Sequence, residues 1–464
     1  MIETRPKEKM KATDAHLEQF ERFEMEGAGS HPSWLFPIRK AGISLFAEQG
    51  FPTLKHENWR FTNLAPIARM PFQPALEPAQ TLPDAPALKR FAFQSLDAFR
   101  LVFVNGHFAA ELSGVNGLPR GAKVGSLAAA LAVDGRGIEE HLGRYARGEG
   151  NPFAALNTAF FQDGAFIELA AGITLDRPVH LLFVSTEDAA GRTIFPRNLI
   201  LAGDRSRLTV LESYVTLGDG SYFTDAVSEF VIGEGARVEH CKYQEEGARA
   251  FHLAASHAHI GRAANFSLHS IDLGARLSRN NIHPVLDGEG IECVLNGLYL
   301  TRGEQLADHF MIVDHAKPHC ASHEYYNGIL DDRSRGVFHG RILVRQDAQK
   351  TDAKQTNKNL LLSDDATVNT KPQLEIYADD VKCTHGATIG QLNEESIFYL
   401  RSRGIGEDTA RRMLIHAFGG EIIDRVRCEP ARDELHRIIW DRLEENPRIA
   451  GREPASSTAV QSGH

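Results

Sequence analysis

The spacing of apolar residues changes period twice along the chain. From Met1 to about Phe161 hydrophobic positions recur at helical intervals, starting with Leu17, Phe20 and Phe23 behind Asp14, which is read as an N-cap. Asn151-Pro152 before FAALNTAFF marks a second helix start, with Pro152 at the first helical position, where a missing N–H breaks no hydrogen bond. Between these helices LVFVNGHF sets Asn105-Gly106 between apolar flanks, the signature of a tight hairpin.

After about Gly164 the helical period disappears. Short runs of Val, Ile, Leu, Phe and Thr alternate with polar residues, separated by small turns rather than long loops. The turn units AGDRS (Ala202 to Ser206), GEGAR (Gly233 to Arg237), GRAAN (Gly261 to Asn265) and DGEG (Asp287 to Gly290) recur at roughly 26 to 30 residues, a spacing typical of solenoids. Two or three short strands per coil, stacked about 4.8 Å apart, would bury an apolar column that no single coil could form alone. Ala165 to about Gly390 therefore reads as a β-helix, although a β-sandwich also gives many short strands with regular turns. From Glu394 the helical period returns through Ile397, Leu400, Ala410, Met413, Leu414, Ala417 and Phe418 into EIIDRVRCEPARDELHRIIWDRLEE, which Pro430 is expected to interrupt. The resulting division is a mostly helical segment 1–164, a β core 165–392, a helical segment 393–446 and a tail 447–464 whose small, polar makeup predicts disorder.

Composition narrows the function classes. At 464 residues and 42% hydrophobic content the chain is too long for one compact core. Its start alternates charges without an apolar core region, so neither a secretory signal nor a presequence is expected, and no apolar run spans a bilayer. Cys241, Cys293, Cys320, Cys383 and Cys428 are scattered and never at CxxC spacing, which opposes a disulfide framework and a closed zinc knot and favours a reducing cytoplasm. A net charge of −10 opposes non-specific binding to nucleic acid or anionic lipid. Protein or metal is the expected partner.

The densest candidate chemistry lies in VKCTHGATIG. If this segment is a strand, Cys383 and His385 project from one face, where a thiol and an imidazole can handle iron or sulfide. Val381, Ala387 and Ile389 share that parity, so the face is apolar. It suits an inert buried cysteine and a core histidine, or a face that a partner subunit covers. Two further histidine groups have metal-like spacing: His252, His257 and His259, and His315, His319 and His323 around Cys320. With 21 histidines in the chain, accidental neighbours are expected. Gly404-Ile405-Gly406 before a helix has the look of a phosphate-binding hairpin, but Glu407 and Asp408 equally suit a plain helix start.

The stretch from Asn357 to Phe418, NKNLLLSDDATVNTKPQLEIYADDVKCTHGATIG followed by QLNEESIFYLRSRGIGEDTARRMLIHAF, resembles the C-terminal core of the SufB/SufD family of the SUF iron-sulfur cluster assembly system. HENWRFTNL (His56 to Leu64) resembles the family's SufD-type N-terminal signature. The resemblance implies a right-handed parallel β-helix flanked by helical regions, and a non-catalytic scaffold subunit. It implies a SufB partner at the C-terminal β-helix region, a nascent iron-sulfur cluster shared with SufB, and SufC, an ABC-type ATPase. A reduced flavin associates with the family complex without being placed on this subunit. Cys383-Thr384-His385-Gly386-Ala387-Thr388 matches the SufD-type CxHGAT context, so His385, beside Cys383, inherits the role of cluster ligand or transfer residue and is the one metal candidate. The SufB side carries an upstream cysteine, where Lys358 is the nearest match, and an acidic residue after the histidine, where Gly386 stands; both departures point to the SufD type.

The post-solenoid helices are the family's SufC-docking surface, here the region of Glu394, Ile397, Leu400, Arg401, Arg403, Met413, Leu414 and Phe418. An iron-sulfur cluster generally takes about four protein ligands, mostly thiolates. This chain lacks a cysteine cluster, and without a GxxxxGK[ST] sequence its ATP chemistry belongs to a partner. Pairing with SufB alone or also with a second copy is left open. Two other classes compete: a β-helix carbohydrate-active enzyme, for which Asp331, Asp332, Asp364 and Asp365 read better as turn residues, and a helix-hairpin-helix DNA-associated protein built on Gly404 to Gly406.

Overall fold

The computed structural model describes residues 7–27, 32–70, 73–133 and 136–445; the tail 447–464, expected to be disordered, lies outside the described residues. Helices of nine residues or more are α1 (Lys7–Gly27), α2 (Leu35–Gln49), α3 (Pro152–Phe160), α4 (Glu394–Ser402), α5 (Glu407–Ile423) and α6 (Glu429–Glu444). The centre is a β-solenoid of about eight coils. One sheet stacks Arg197–Ala202, Phe223–Ile232, Phe251–Ile260, Leu277–Leu286, Leu306–His315 and Arg335–Val344, ending in the short strands Thr367–Thr370 and Gln373–Ile376. The other stacks Val179–Ser185, Arg207–Thr216, Arg237–Glu245, Asn265–Asp272, Glu292–Thr301, Ala321–Leu330, Asp352–Leu361 and Lys382–Gly390.

Every pairing between these strands is parallel and in register: Phe223, Phe251, Leu277, Leu306 and Arg335 lie one above another. Such stacking excludes the β-sandwich, whose sheets are antiparallel. Alternate residues point inward, where Phe230, Ile260, Phe266, Leu268, Leu295, Met311 and Phe338 fill a continuous core.

The predicted turn units form one corner of the coil. Its left-handed position is filled in turn by Arg205 (φ 56°), Gly235 (65°), Ala263 (53°), Gly290 (71°), His319 (59°) and Lys350 (60°). The stack accepts non-glycine residues because the N–H at this position donates to the next coil: Arg205 to Glu234 O at 2.7 Å, Ala263 to Glu289 O at 2.8 Å, His319 to Gln349 O at 2.9 Å. Gly235→Ala meets nothing nearer than 3.4 Å. Its cost is therefore conformational, about 1 kcal/mol, and should appear as a lower urea midpoint with an unchanged slope.

Helices cover both outer faces. α2 and α3 press Phe46, Phe153 and Phe160 onto Phe223, Phe251 and Leu277. They approach so closely that a side chain at Gly42 would stand 2.8 Å from Ala155 O. On the other face Ile415, Ile422, Leu435 and Ile439 of α5 and α6 pack on Leu211, Tyr243, Leu298 and Ile329.

Two helix boundaries differ from the sequence reading. Asp14 lies inside α1 rather than capping it, because KEKMKA is itself a run of good helix formers that carries the helix upstream. Pro430 occupies the first turn of α6, so the break falls before it, between Ile423 and Glu429. The expected hairpin is present: Phe99–Val104 pairs antiparallel with His107–Phe108 across Asn105 (φ 50°) and Gly106 (φ 88°). It extends the second sheet through Val179–Ser185, so that sheet starts within the segment read as mostly helical.

Acid should weaken this interior. Burial holds the imidazole of His180 down to about 3 and that of His315 down to about 4, whereas in an unfolded chain both titrate near 6.5. Below about 6.5 the unfolded chain takes up protons that the native state refuses, so stability falls. Glu324, raised by burial to about 7, keeps a proton when folded and works in the opposite direction. His257, held to about 3 chiefly by burial, adds to these two, and three imidazoles against one carboxyl leave a loss of about 3 kcal/mol between pH 7 and 5, readable from urea midpoints.

Candidate functional site

The two ends of the solenoid are not equivalent. At the start, antiparallel strands close the sheets, with Ala122–Ser126 against Ala165–Leu169 and the hairpin against Val179–Ser185. At the other end no such cap follows among the described residues: there Lys382–Gly390 pairs only with Asp352–Leu361 and is the terminal strand of its sheet. One backbone edge and one inner face of the last coil are therefore open.

Cys383 and His385 lie on that inner face. They pair with Ala353 and Gln355, whose side chains are buried inside the preceding coil, and Ala387 and Ile389 follow over Asn357 and Asn359. Cys383 is half-buried beside Ala353, Val381 and Leu374, and burial pushes its thiol pKa up, so it is protonated at neutral pH. His385 is exposed, and Ile389 is 52% exposed. Across the opening, Leu374 and Ile376 occupy the inward positions of the facing strand, stacked on Ile342 and Val344. The strand and the shared face follow the sequence reading, and the apolar parity arises because this is a core face whose next coil is missing. On a strand the two donors stand about 7 Å apart, close enough to serve one cluster and too few to complete it.

The other histidines separate by parity. His252 points inward to Glu246 at 2.7 Å, whereas His257 and His259 point outward, to His283 and to Asp287. His315 is buried against Ser322 at 2.8 Å, His319 sits in the corner turn, and His323 meets the Tyr325 ring edge-on. No group of three or more His, Cys, Asp or Glu side chains converges on a metal position among the described residues. Asp331 and Asp332 are turn residues as expected, with Asp332 accepting from Gly303 N at 2.9 Å.

HENWRFTNL braces the solenoid. Trp59 is buried with the Arg279 guanidinium 3.7 Å from its ring, Thr62 bonds Asp308, and Glu57 reaches Lys371 of the last coil at 2.6 Å. Lys358 lies on the outer side of its strand, paired with Glu421 of α5 at 2.8 Å.

A second surface lies on α4 and α5. Asn393 caps α4 through Ser396 N at 3.0 Å, and Gly404 (φ 86°) turns the chain between the helices, as a plain helix start requires. Glu394, Arg401, Arg403 and Met413 are exposed, Leu400 and Leu414 line a shallow depression of about 360 Å³, and Phe418 packs partly against the core. Ile397 is buried and holds α4 in place rather than facing a partner. Sequence reasoning passed over Phe398 (73% exposed) and Tyr399 (57%), the largest apolar groups there, because helical periodicity marks buried positions and not exposed aromatics.

Two families match the chain: "SUF system FeS cluster assembly, SufBD core domain" over residues 183–418, and "SufBD protein N-terminal region" over residues 10–181. An iron-sulfur cluster assembly SufBD family protein of Synechocystis is 34% identical over 421 residues, 89% of this chain and 92% of the relative. The iron-sulfur cluster assembly protein SufD of Escherichia coli is 33% identical over 433 residues, covering 91% and 95%.

Proposed function

The chain belongs to the SufBD family of SUF-system iron-sulfur cluster assembly proteins, and we propose that within it the chain is the SufD-type subunit of a SufB-SufC-SufD scaffold. The observation that carries this reading is His385 on the inner face of an uncapped terminal coil. A sister solenoid adding its own last coil would satisfy the open backbone edge, cover Ile376 and Ile389, and enclose His385 together with groups of its own. In that enclosure the nascent cluster is cargo. His385 supplies one nitrogen, Cys383 a second donor once deprotonated, and the more thiol-rich SufB the remainder. The chain itself turns over no substrate.

SufC docks on the α4–α5 surface, where Phe398, Tyr399 and Met413 stand exposed. Nucleotide-driven movement of SufC is then transmitted through α5, which packs on the second sheet, to the enclosed end. Gly386 after the histidine and Lys358 upstream favour the SufD type over the SufB type. Five free cysteines fit a reducing compartment, and the cytoplasm is the expected location.

Purification of the full chain from native cells, with metal and nucleotide analysis of whatever accompanies it, tests the reading. Wild type is expected to bring down a second SufBD-family chain and an ATPase. Ile389→Asp, which places a charge on the face to be covered, is expected to release the second chain while melting at the wild-type temperature. Isolation of a lone wild-type chain, or a partner held unchanged by the Ile389→Asp protein, would refute it.

A further inference from the structure

Glu324, Gln355 and His385 occupy the same inward position on three successive strands of the second sheet. Below them the column runs through Leu295 and Leu268 to His240, which is paired with Glu212. Gln355 is 1% exposed and Glu324 0%. The Gln355 amide nitrogen donates to the Glu324 carboxyl at 2.5 Å, while Gln355 Oε1 and Glu324 Oε1 have no partner among the described residues. The facing sheet makes room for them: a side chain at Gly340 would lie 2.0 Å from the Gln355 amide nitrogen and 3.0 Å from Glu324.

A buried, unsatisfied amide oxygen costs about 1–3 kcal/mol, and leaving one unpaired directly beneath an exposed imidazole calls for a reason. The reason is the neighbour above. An imidazole that binds metal or sulfur through one nitrogen needs its other N–H held, and the His385 ring hydrogen-bonds to no other described residue. Coils stack about 4.8 Å apart, so a glutamine whose nitrogen is tied to the coil below leaves its oxygen within reach of the side chain above.

We propose that Gln355 and Glu324 are a positioning pair for His385: Glu324 fixes the Gln355 amide, and the Gln355 oxygen takes the His385 ring N–H, presenting the other ring nitrogen to metal or sulfur. The pairing rests on the reading of His385 given above and adds to it the choice of tautomer. When a sister subunit covers the face, the exposed His385 ring loses its water, and its N–H turns to the buried, unpartnered amide oxygen beneath it. Burial raises the Glu324 carboxyl to about 7, so near neutrality it adds less negative charge to the enclosed site than an exposed carboxylate would.

The test uses the complex purified from native cells, with ferrous iron alone as the probe, and ring ¹⁵N signals of labelled histidine in the full chain. His385 is assigned by its loss in His385→Ala. Gln355→Leu, Glu324→Leu and Gly340→Ala, the last displacing the amide while keeping both polar groups, are each expected to weaken iron binding about 10- to 100-fold. The same three variants should convert the His385 signal from one tautomer to a mixture. Glu324→Gln, which still accepts from the Gln355 amide nitrogen, is expected to restore both readouts. A single tautomer and unchanged iron affinity in Gln355→Leu and Gly340→Ala would overturn the proposal. If His385→Ala itself leaves iron binding intact, the cluster-site reading fails, and the tautomer signal in Gln355→Leu still decides whether the pair positions the ring.

Discussion

Cells that depend on this pathway and carry His385→Ala should lose at least about 90% of their iron-sulfur enzyme activity, the size of effect that follows removal of a ligand or of the group that orients one. The protein itself should survive the change. His385 is exposed on a terminal strand and its ring hydrogen-bonds to no other described residue, so its removal should alter stability by no more than about 0.5 kcal/mol. The measurement is maturation of a reporter iron-sulfur enzyme, beside the amount and composition of the purified complex. Normal maturation with an intact complex would remove His385 from the mechanism. Cys383→Ser gives a useful contrast, because that thiol is half-buried and protonated and must be deprotonated before it can ligate.

The largest expected stability effect is at Glu229. Its carboxylate is fully buried, paired with the equally buried Arg197 at 2.7 Å, and accepts the backbone N–H groups of Gly143, Tyr145 and Ala146 at 2.9 to 3.0 Å. It thereby fastens the loop before α3 to the outer face of the first sheet. Glu229→Leu strands a buried guanidinium and three backbone donors. Breaking a buried pair from one side costs about 3–5 kcal/mol and orphaned donors add to it. The expected loss, about 5 kcal/mol, approaches the whole stability of an ordinary domain. In a double-mutant cycle Arg197→Met should recover part of it, since the charge would then have been removed from both sides. Equal urea midpoints for Glu229→Leu and wild type would show that the loop holds without the pair.

What could be read from the chain is what depends on near neighbours. Asn105-Gly106 specifies its hairpin because both residues accept positive φ, whatever surrounds them. Strand parity put Cys383 and His385 on one face and also separates His252 from His257 and His259, a division that the metal-like spacing concealed. Other features needed contacts between residues a full coil apart. The left-handed corner contains Arg205, Ala263, His319 and Lys350, residues that carry no local signal for it, because the stabilising hydrogen bond comes from the neighbouring coil. The Glu324–Gln355–His385 column is likewise a matter of register: a shift of one residue in either pairing would break it.

The sequence by itself determined the family, the succession of helical, solenoid and helical segments, and the face that Cys383 and His385 share, since each depends on residue order and on periods of two or 3.6. Only the tertiary structure decided that this face is open. Whether an inward position is sealed or exposed depends on whether another coil stacks upon it, and the chain turns away into α4 after Gly390, leaving a core face without its lid.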